Sequence, residues 1–315
     1  MLSEMPEILP NWYTDDVASL RRFASVRLIA LDLDGTTVSS SDKSIYETIR
    51  KLQQSLRHPR YGVNVTIATG RTYYGTRHLL EQWELSKGIP LILYNGSVVL
   101  GNKTDKVLSI KRINPLVLNS VLKICEKYNT PILSYFFGIE DNYLFNIDTC
   151  REVVLGWANS LQPNYESNGM LVEWNSYKKY SKVGSPTAIL INVENQKSAL
   201  ISIRRQLAQI DCISTTQSGS GFIEIRPQGS NKATALLTAA FAVNVQQKHV
   251  LALGDNDNDM EMLSWAGIGI ATANASDSAV QSSNFVCRHG VSQAVVEVLR
   301  LVKQARRYFP HEDLP

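Results

Sequence analysis

The stretch 27–36, with the sequence RLIALDLDGT, decides the fold class of this chain. An apolar run from Leu28 to Leu33 is interrupted by Asp32 and is followed by Asp34 and a glycine. This pattern predicts a buried strand that ends in two carboxylates and a turn. In open parallel α/β sheets, ligands bind beyond such strand ends. The pair therefore indicates a metal-assisted phosphoryl site, in which one aspartate attacks and the other transfers protons. Taken alone, an aspartate that caps the next helix explains the motif equally well.

The composition is that of an ordinary globular protein. With 315 residues, 44% hydrophobic and 19% charged, the chain can form two domains with a sizeable core. A net charge of +3 without a dense basic run argues against a nucleic-acid partner. No signal peptide or membrane-spanning run is evident, and the four cysteines are far apart in the sequence. We expect a cytoplasmic enzyme without nucleic-acid or membrane partners, and nothing here predicts its oligomeric state.

Strands and helices alternate on both sides of a middle region with a different pattern. Three more buried strands are predicted, at 64–69, 91–94 and 249–255. Alternation of such strands with helices favours a parallel sheet. From residue 97 onward, hairpin-like strand pairs mixed with helices favour a separate α+β module. We therefore predict a Rossmann-like doubly wound parallel sheet as the core, formed by residues 1–96 and 227–315. An α+β cap domain is predicted to be inserted at 97–226.

The two ends of the predicted core have weaker patterns. Residues 1–25 form an N-terminal extension before the first strand, and we expect Trp12 and Tyr13 to pack it on the core. Near the other end, residues 284–287 are predicted to form an edge strand.

A second acidic cluster, GDNDND at 254–259, again follows a buried strand directly. Its alternating aspartates resemble a calcium loop, but Met260 stands where that loop needs glycine, and Ala266 where it needs glutamate. A magnesium site built from two strand ends is the better explanation, because magnesium prefers oxygen ligands. Asp32 and Asp255 are the candidate ligands.

Two further residues stand where phosphate chemistry would need them. Thr69 ends the second predicted strand, so its hydroxyl and nearby backbone N–H groups, such as that of Gly70, could hold phosphoryl oxygens. Lys232 opens a predicted helix at 230–243, where the helix dipole disfavours a cation, which indicates an anion nearby. Each also has an ordinary explanation, as a strand-end threonine and a solvated lysine. The phosphate hypothesis depends on all four motifs occurring together and in order.

Together these motifs resemble the haloacid dehalogenase (HAD) superfamily of phosphohydrolases. The matching segments are DLDGT at 32–36, ATGR at 68–71, EIRPQGSNKATAL at 224–236 and GDNDND at 254–259. Their order and spacing are similar to the Cof-type branch, in which a large α/β cap is inserted between the second and third motifs. The NG pair at 95–96 fits as well. The N-terminal extension departs from the pattern, since family members usually begin almost at the first strand.

The resemblance implies a role for each motif residue. Asp32 is the implied nucleophile, which forms an aspartyl-phosphate, and Asp34 is the implied general acid and then general base. Thr69, Gly70 and Lys232 are the implied ligands of the phosphoryl group.

The same resemblance implies a Mg²⁺ site. Its ligands are the carboxylates of Asp32 and Asp255 and the backbone carbonyl of Asp34. Asn258 and Asp259 support the metal waters and Lys232. Arg71 and Asn95 are candidate substrate contacts.

We therefore expect a Mg²⁺-dependent phosphatase for a small soluble phosphomonoester, such as a sugar phosphate, nucleotide or cofactor phosphate. Asp34 favours rapid hydrolysis, because the ion-pumping ATPases of the superfamily have threonine there. One alternative is a phosphomutase of the phosphomannomutase type, which shares the four motifs. The other is a non-catalytic phosphate-binding regulator. The inserted module is expected to select the substrate, and no motif in it identifies that substrate.

Overall fold

The computed structural model of the protein describes most of the chain. The described residues are 5–38, 44–84, 88–101, 107–137, 152–157, 168–171, 173–180, 184–218 and 221–310. The chain forms two compact units. The first unit consists of Met1–Gly70, His78–Leu108 and Asn231–Pro315, and the second of Arg71–Arg77 and Ser109–Ser230. The predicted roles of core and cap, with limits at 97 and 226, stay predictions.

Strands and helices are numbered along the chain. The strands are β1 (Glu7–Ile8), β2 (Leu28–Leu31), β3 (Asn64–Ile67), β4 (Leu91–Leu93), β5 (Val98–Leu100), β6 (Val107–Ile110), β7 (Ile132–Phe137), β8 (Glu152–Trp157), β9 (Asn168–Leu171), β10 (Ala188–Asn192), β11 (Ile213–Ser218), β12 (Phe222–Pro227), β13 (Val250–Gly254), β14 (Ile268–Ala271) and β15 (Phe285–Val286). The α-helices are α1 (Ser44–Arg57), α2 (Tyr73–Trp83), α3 (Pro115–Lys127), α4 (Trp174–Tyr180), α5 (Leu200–Leu207), α6 (Lys232–Ala242), α7 (Met260–Trp265), α8 (Asp277–Gln281) and α9 (Val291–Tyr308). Short 3₁₀ helices include Val17–Ser25, Tyr94–Gly96 and Asp257–Asp259.

The first unit is built on a six-stranded sheet in the order β1-β15-β14-β13-β2-β3. All neighbouring strands in it are parallel. Every residue of β2 and β13 is buried, which explains their continuous apolar runs, because a parallel sheet is covered on both faces. The parallel sheet predicted from the alternating pattern is confirmed. Beside it lies a smaller sheet in the order β4-β5-β6. The strand predicted at 91–94 as part of the parallel sheet belongs to this smaller sheet instead, where β4 pairs antiparallel with β5. An isolated parallel bridge between Ala68 and Ile92 links it to the segment after β3.

The N-terminal extension adds the outermost strand of this sheet. β1 pairs in parallel with β15, so the prediction that residues 284–287 form an edge strand was wrong. The extension packs mainly through Leu20 and Phe23, which are fully buried, and Phe23 contacts Phe285. Tyr13, predicted to pack on the core, is instead 66% exposed. A strand of two residues, one of them charged, has no hydrophobic period that could have predicted it.

Trp12, predicted to pack on the core, contacts an exposed residue of α9. The guanidinium of Arg300, on α9, lies 5.1 Å from the centre of the Trp12 ring. This geometry is a cation–π interaction.

The second unit contains a separate six-stranded sheet in the order β11-β12-β10-β7-β8-β9. Its pairs are antiparallel except for β8 and β9, which are parallel. Alternate residues of β7, β10 and β12 pack in one hydrophobic core with residues of α3 and α5. β11 and β12 are antiparallel neighbours, and residues 219–220 between them lie outside the described residues. Among the described residues, no helix has both the length and the apolar character that crossing a membrane would require.

Candidate active site

Two aspartates lie at the carboxyl ends of two neighbouring parallel strands. Asp32 follows β2 and Asp255 follows β13, and these strands are neighbours, with Leu31 opposite Leu253. The backbone N–H of Asp32 donates to the carbonyl of Leu253 at 3.0 Å. Parallel pairing therefore places carboxylates that are far apart in sequence side by side, at the sheet edge where ligands of such folds bind.

Lys232 is completely buried between two carboxylates. Its Nζ lies 2.6 Å from Asp32 Oδ1 and 2.6 Å from Asp259 Oδ1. The lysine opens α6, whose N-terminus is capped by Asn231, the Oδ1 of which accepts the N–H of Thr234 at 2.8 Å. The anions that offset the unfavourable helix dipole are therefore two side chains of the protein itself. A buried ammonium is stable only with such partners.

Asp259 supports the loop that carries Asp255. While its Oδ1 accepts from Lys232, its Oδ2 accepts the N–H groups of Asp255 at 3.0 Å and Asn256 at 3.2 Å. The Asn256 side chain in turn caps the short helix Asp257–Asp259. Because both oxygens of Asp259 have donors within the protein, Asp259 is suited to hold the loop and Lys232.

The acidic cluster fits a divalent cation. One oxygen from each of Asp32, Asp255 and Asp259 lies within 4.8 Å of the others, and two of these three carboxylates contact the ammonium of Lys232. Burial raises the pKa of Asp32, and the carboxylates of Asp259 and Asp255 act in the same direction, against the opposing effect of Lys232. Burial also raises the pKa of Asp255. Carboxylate oxygens with excess negative charge favour a hard cation such as Mg²⁺ over softer metals.

Thr36, for which the sequence predicted no role, contacts this acidic cluster. Its Oγ1 donates to Asp255 Oδ1 at 2.7 Å, and the residue is fully buried. The neighbouring Thr37 donates from its hydroxyl to the carbonyl of Asp32. A hydroxyl directly after the turn glycine of DLDGT was the available signal. These two bonds orient both strand-end aspartates from one loop.

Asp34 lies in the same loop, and its side chain is exposed to solvent. Two side chains from other segments donate hydrogen bonds to backbone carbonyls of this loop. Asn274 Nδ2 donates to the carbonyl of Gly35 at 3.2 Å, and Ser292 Oγ donates to that of Thr37 at 2.7 Å. A carboxyl group on a fixed loop with access to water is suited to exchange protons.

The structure brings Thr69, Asn95 and Asn258 together. Thr69 is fully buried after β3, and its carbonyl accepts the N–H of Asn95 at 3.0 Å. Asn258 Nδ2 donates to Asn95 Oδ1 at 3.0 Å. Gly70 follows Thr69 and is exposed.

Arg71 is the predicted site residue that belongs to the second unit. Its Nη1 donates to the carbonyl of Gly75 at 3.3 Å.

Comparisons with known proteins identify the family of this chain. A family model described as haloacid dehalogenase-like hydrolase matches residues 29–299. YitU of Bacillus subtilis, named a 5-amino-6-(5-phospho-D-ribitylamino)uracil phosphatase, is 30% identical over 82% of this chain and 90% of its own length. YxeH of the same species, provisionally named a phosphatase, is 28% identical over 87% of this chain and 98% of its own.

Solved structures agree on the fold. A haloacid dehalogenase-like hydrolase from Bacteroides thetaiotaomicron superposes with a TM-score of 0.69 at 22% identity, covering 89% of this chain and 99% of that one. The predicted family and the predicted α/β core with a cap-bearing HAD fold are thus confirmed. The chain belongs to the haloacid dehalogenase-like hydrolases of the Cof type and is a phosphoric monoester hydrolase.

Proposed function

We propose that the protein is a Mg²⁺-dependent phosphatase that hydrolyses a small phosphomonoester through an aspartyl-phosphate on Asp32. The observation that carries the proposal is Lys232, whose buried Nζ lies 2.6 Å from Asp32 Oδ1 and 2.6 Å from Asp259 Oδ1. This ammonium lies beside the proposed attacking oxygen, where it can offset charge that develops on a transferring phosphoryl group. A purely structural ion pair would not need a second strand-end carboxylate, Asp255, beside it.

In the first step, a carboxylate oxygen of Asp32 attacks phosphorus. The bond between phosphorus and Asp32 forms as the bond between phosphorus and the ester oxygen breaks. Asp34, protonated and accessible to solvent, gives its proton to the departing alkoxide. The products are the free alcohol and an aspartyl-phosphate.

In the second step, water attacks the phosphorus of the aspartyl-phosphate. Asp34, now a carboxylate, accepts the proton of that water. The bond between phosphorus and Asp32 breaks, inorganic phosphate leaves, and both aspartates return to their starting states.

Thr69, the Gly70 N–H group and Lys232 are the proposed ligands of the phosphoryl oxygens. The carboxylates of Asp32 and Asp255 and the backbone carbonyl of Asp34 would hold Mg²⁺, and Asp259 and Asn258 would support them. When bound, the ion supplies positive charge that offsets the phosphoryl charge. Thr36, through Asp255, keeps one of these carboxylates in place.

The proposed substrate class is a small phosphate ester with a polyol or nucleotide-like leaving group. The name of YitU specifies a phosphorylated ribityl chain on a pyrimidine, and sugar phosphates, nucleotides and cofactor phosphates share that chemistry. We assign the choice among them to the module at 97–226, because the motif residues Asp32, Thr69, Lys232 and Asp255 lie outside it, and to Arg71 at the end of the second motif.

The test is release of inorganic phosphate from a panel of sugar phosphates, nucleotides and cofactor phosphates. We expect turnover with Mg²⁺ and no activity in EDTA. In Asp32→Asn the rate of phosphate release should fall at least about a thousandfold. The surface variant Asp277→Asn, at the start of α8, is the matched control and should retain wild-type rates.

Other outcomes would contradict the proposal in distinct ways. Full activity in EDTA would exclude a metal requirement. A fully active Asp32→Asn variant would exclude Asp32 as the nucleophile. An isomerised sugar phosphate without free phosphate would indicate the phosphomutase. Binding without turnover would indicate the non-catalytic regulator.

A further inference from the structure

The short 3₁₀ helix Tyr94–Gly96, at the end of β4, has an unusual backbone. Tyr94 has φ 51° and Asn95 has φ 49°, so two successive residues with side chains adopt the left-handed conformation. This region is disfavoured for L-residues other than glycine and, to a lesser degree, asparagine. Such strain persists where the surroundings impose it and is concentrated at functional sites. We call this segment the β4 corner.

The β4 corner contacts three of the segments that form the candidate site. The N–H of Asn95 donates to the carbonyl of Thr69 at 3.0 Å, and its Oδ1 accepts from Asn258 Nδ2 at 3.0 Å. Gly96 lies against Asn231, the residue before Lys232, so closely that a β-carbon on it would be 2.1 Å from the Asn231 carbonyl oxygen. The corner is therefore the point where these segments meet.

The amide of Asn95 also has a defined position. The side chain is only 4% exposed, and its Oδ1 is bound by Asn258. A β-carbon on Gly70 would lie 2.9 Å from Asn95 Nδ2 and 3.2 Å from Oδ1. Only a glycine at position 70 therefore allows the amide to lie against the turn that follows Thr69.

We propose that Asn95 is a further phosphoryl-binding residue, whose Nδ2 donates to a phosphoryl oxygen held beside Gly70, with Asn258 as its positioning partner. The inference rests on the proposed function, since it assigns a phosphoryl group to the turn Thr69–Gly70. A neutral donor there complements Lys232, which already contacts two carboxylates. Hydrogen bonds from neutral donors to phosphate oxygens are charge-assisted and stronger than ordinary ones.

The alternative is that Asn95 only fills a backbone position that tolerates asparagine. Two variants separate the alternatives, because each changes one property of the residue. Asn95→Asp keeps the shape and the acceptor for Asn258, but replaces the donor beside Gly70 by a carboxylate oxygen. Asn95→Gly removes the amide and adopts φ 49° without strain, so relief of backbone strain offsets part of the lost hydrogen bond to Asn258.

The experiment measures binding of inorganic phosphate in Mg²⁺ by calorimetry, with thermal unfolding and phosphate release measured in parallel. We expect the Kd for phosphate to rise about 10-fold in Asn95→Gly and about 10- to 100-fold in Asn95→Asp. A single cooperative unfolding transition of Asn95→Gly well above the temperature of the calorimetry would show that the weaker binding is not a loss of folding.

Each result bears on a separate claim. Kd values within about twofold of the wild type in both variants would overturn the assignment of Asn95. Calorimetry does not require turnover, so a wild type that binds phosphate but hydrolyses no ester would overturn the proposed function and still test Asn95.

Discussion

Each of the two units buries carboxylates, and the two sites neutralise them differently. In the first unit, Asp32 and Asp259 share the ammonium of Lys232, with Asp255 alongside. In the second, Glu152 on β8 is fully buried and its two oxygens accept the N–H groups of Tyr73 at 3.1 Å and Tyr74 at 3.0 Å. Glu152 therefore occupies the N-terminus of α2, where the helix dipole favours an anion.

The two sites differ in how far their negative charge is compensated. The first has three carboxylates and one ammonium, so its excess negative charge can be relieved by a cation. The second has one carboxylate with backbone donors, and burial outweighs them. Burial raises the pKa of Glu152 to about 7, while hydrogen bonds from Tyr74, Tyr73 and Thr72 act in the opposite direction. We expect the first site to respond to metal and the second to protons.

The largest effect should come from Lys232→Met, which removes the only ammonium that contacts Asp32 and Asp259 among the described residues. Leaving buried charge without its partner costs about 3–5 kcal/mol. We expect that loss in the free energy of unfolding, measured in urea with EDTA, and a partial recovery in Mg²⁺. Lys51→Met is the control, because Lys51 is 70% exposed and its ion pair with Glu47 contributes little. A loss as small as that of the control would show that the cluster is not charged in the folded protein.

Glu152→Gln should test the second site through pH. The pKa of Glu152 rises from an ordinary 4.5 to about 7 on folding. Between those values the folded protein holds a proton that the unfolded chain has released. The contribution of protonated Glu152 to the free energy of unfolding is therefore fully present below pH 4.5 and is lost as the pH rises through 7. Glutamine imitates the protonated form of Glu152. Relative to the wild type, the free energy of unfolding of the variant should therefore increase by up to about 3 kcal/mol between pH 4.5 and pH 8.

Urea unfolding of both proteins across that pH range is the measurement. Glu126→Gln serves as the control for the loss of a carboxylate, because the Glu126 side chain in the second unit is half exposed. Parallel stability curves for wild type and Glu152→Gln would mean that Glu152 does not titrate in this range.

The smallest effect is expected for Thr36→Val. The variant loses one hydrogen bond, to Asp255, and should lose about 0.5–1.5 kcal/mol of stability. Because that bond lowers the pKa of Asp255, its loss should also raise the Mg²⁺ concentration needed for half-maximal activity a few-fold. Thr36→Ser keeps the hydroxyl and should restore both properties. If valine and serine behaved alike, the hydroxyl would have no part in the metal response.

Much of the first unit was predictable from local pattern. The continuous apolar runs of β2 and β13 indicated buried parallel strands, and strand-end aspartates had to meet at one edge of such a sheet. The apolar run from Leu28 to Leu33 is longer than the strand in the structure, Leu28–Leu31. Roles of individual residues, such as Asp34 as the acid, stay predictions.

Other features depend on tertiary contacts that leave no local signal. That one lysine contacts Asp32 and Asp259 together follows from how α6 packs, and no spacing encodes it. Glu152 belongs to no motif, since its partners are backbone N–H groups that any residue provides. The same is true of β1, whose two residues are a strand only because β15 offers an unpaired edge.

The distance of 200 residues between Asp32 and Lys232 has a consequence for the order of events on the ribosome. At translation rates of about 5–20 residues per second, roughly 10–40 s separate the synthesis of the two. During that interval β2 lacks β13, its central neighbour, and the Asp32 carboxylate has no ammonium. The segment Ser109–Ser230, the larger part of the second unit, is completed first. We therefore expect the nascent protein to acquire its inserted unit before its candidate active site, which can form only when the chain up to Asp259 has emerged.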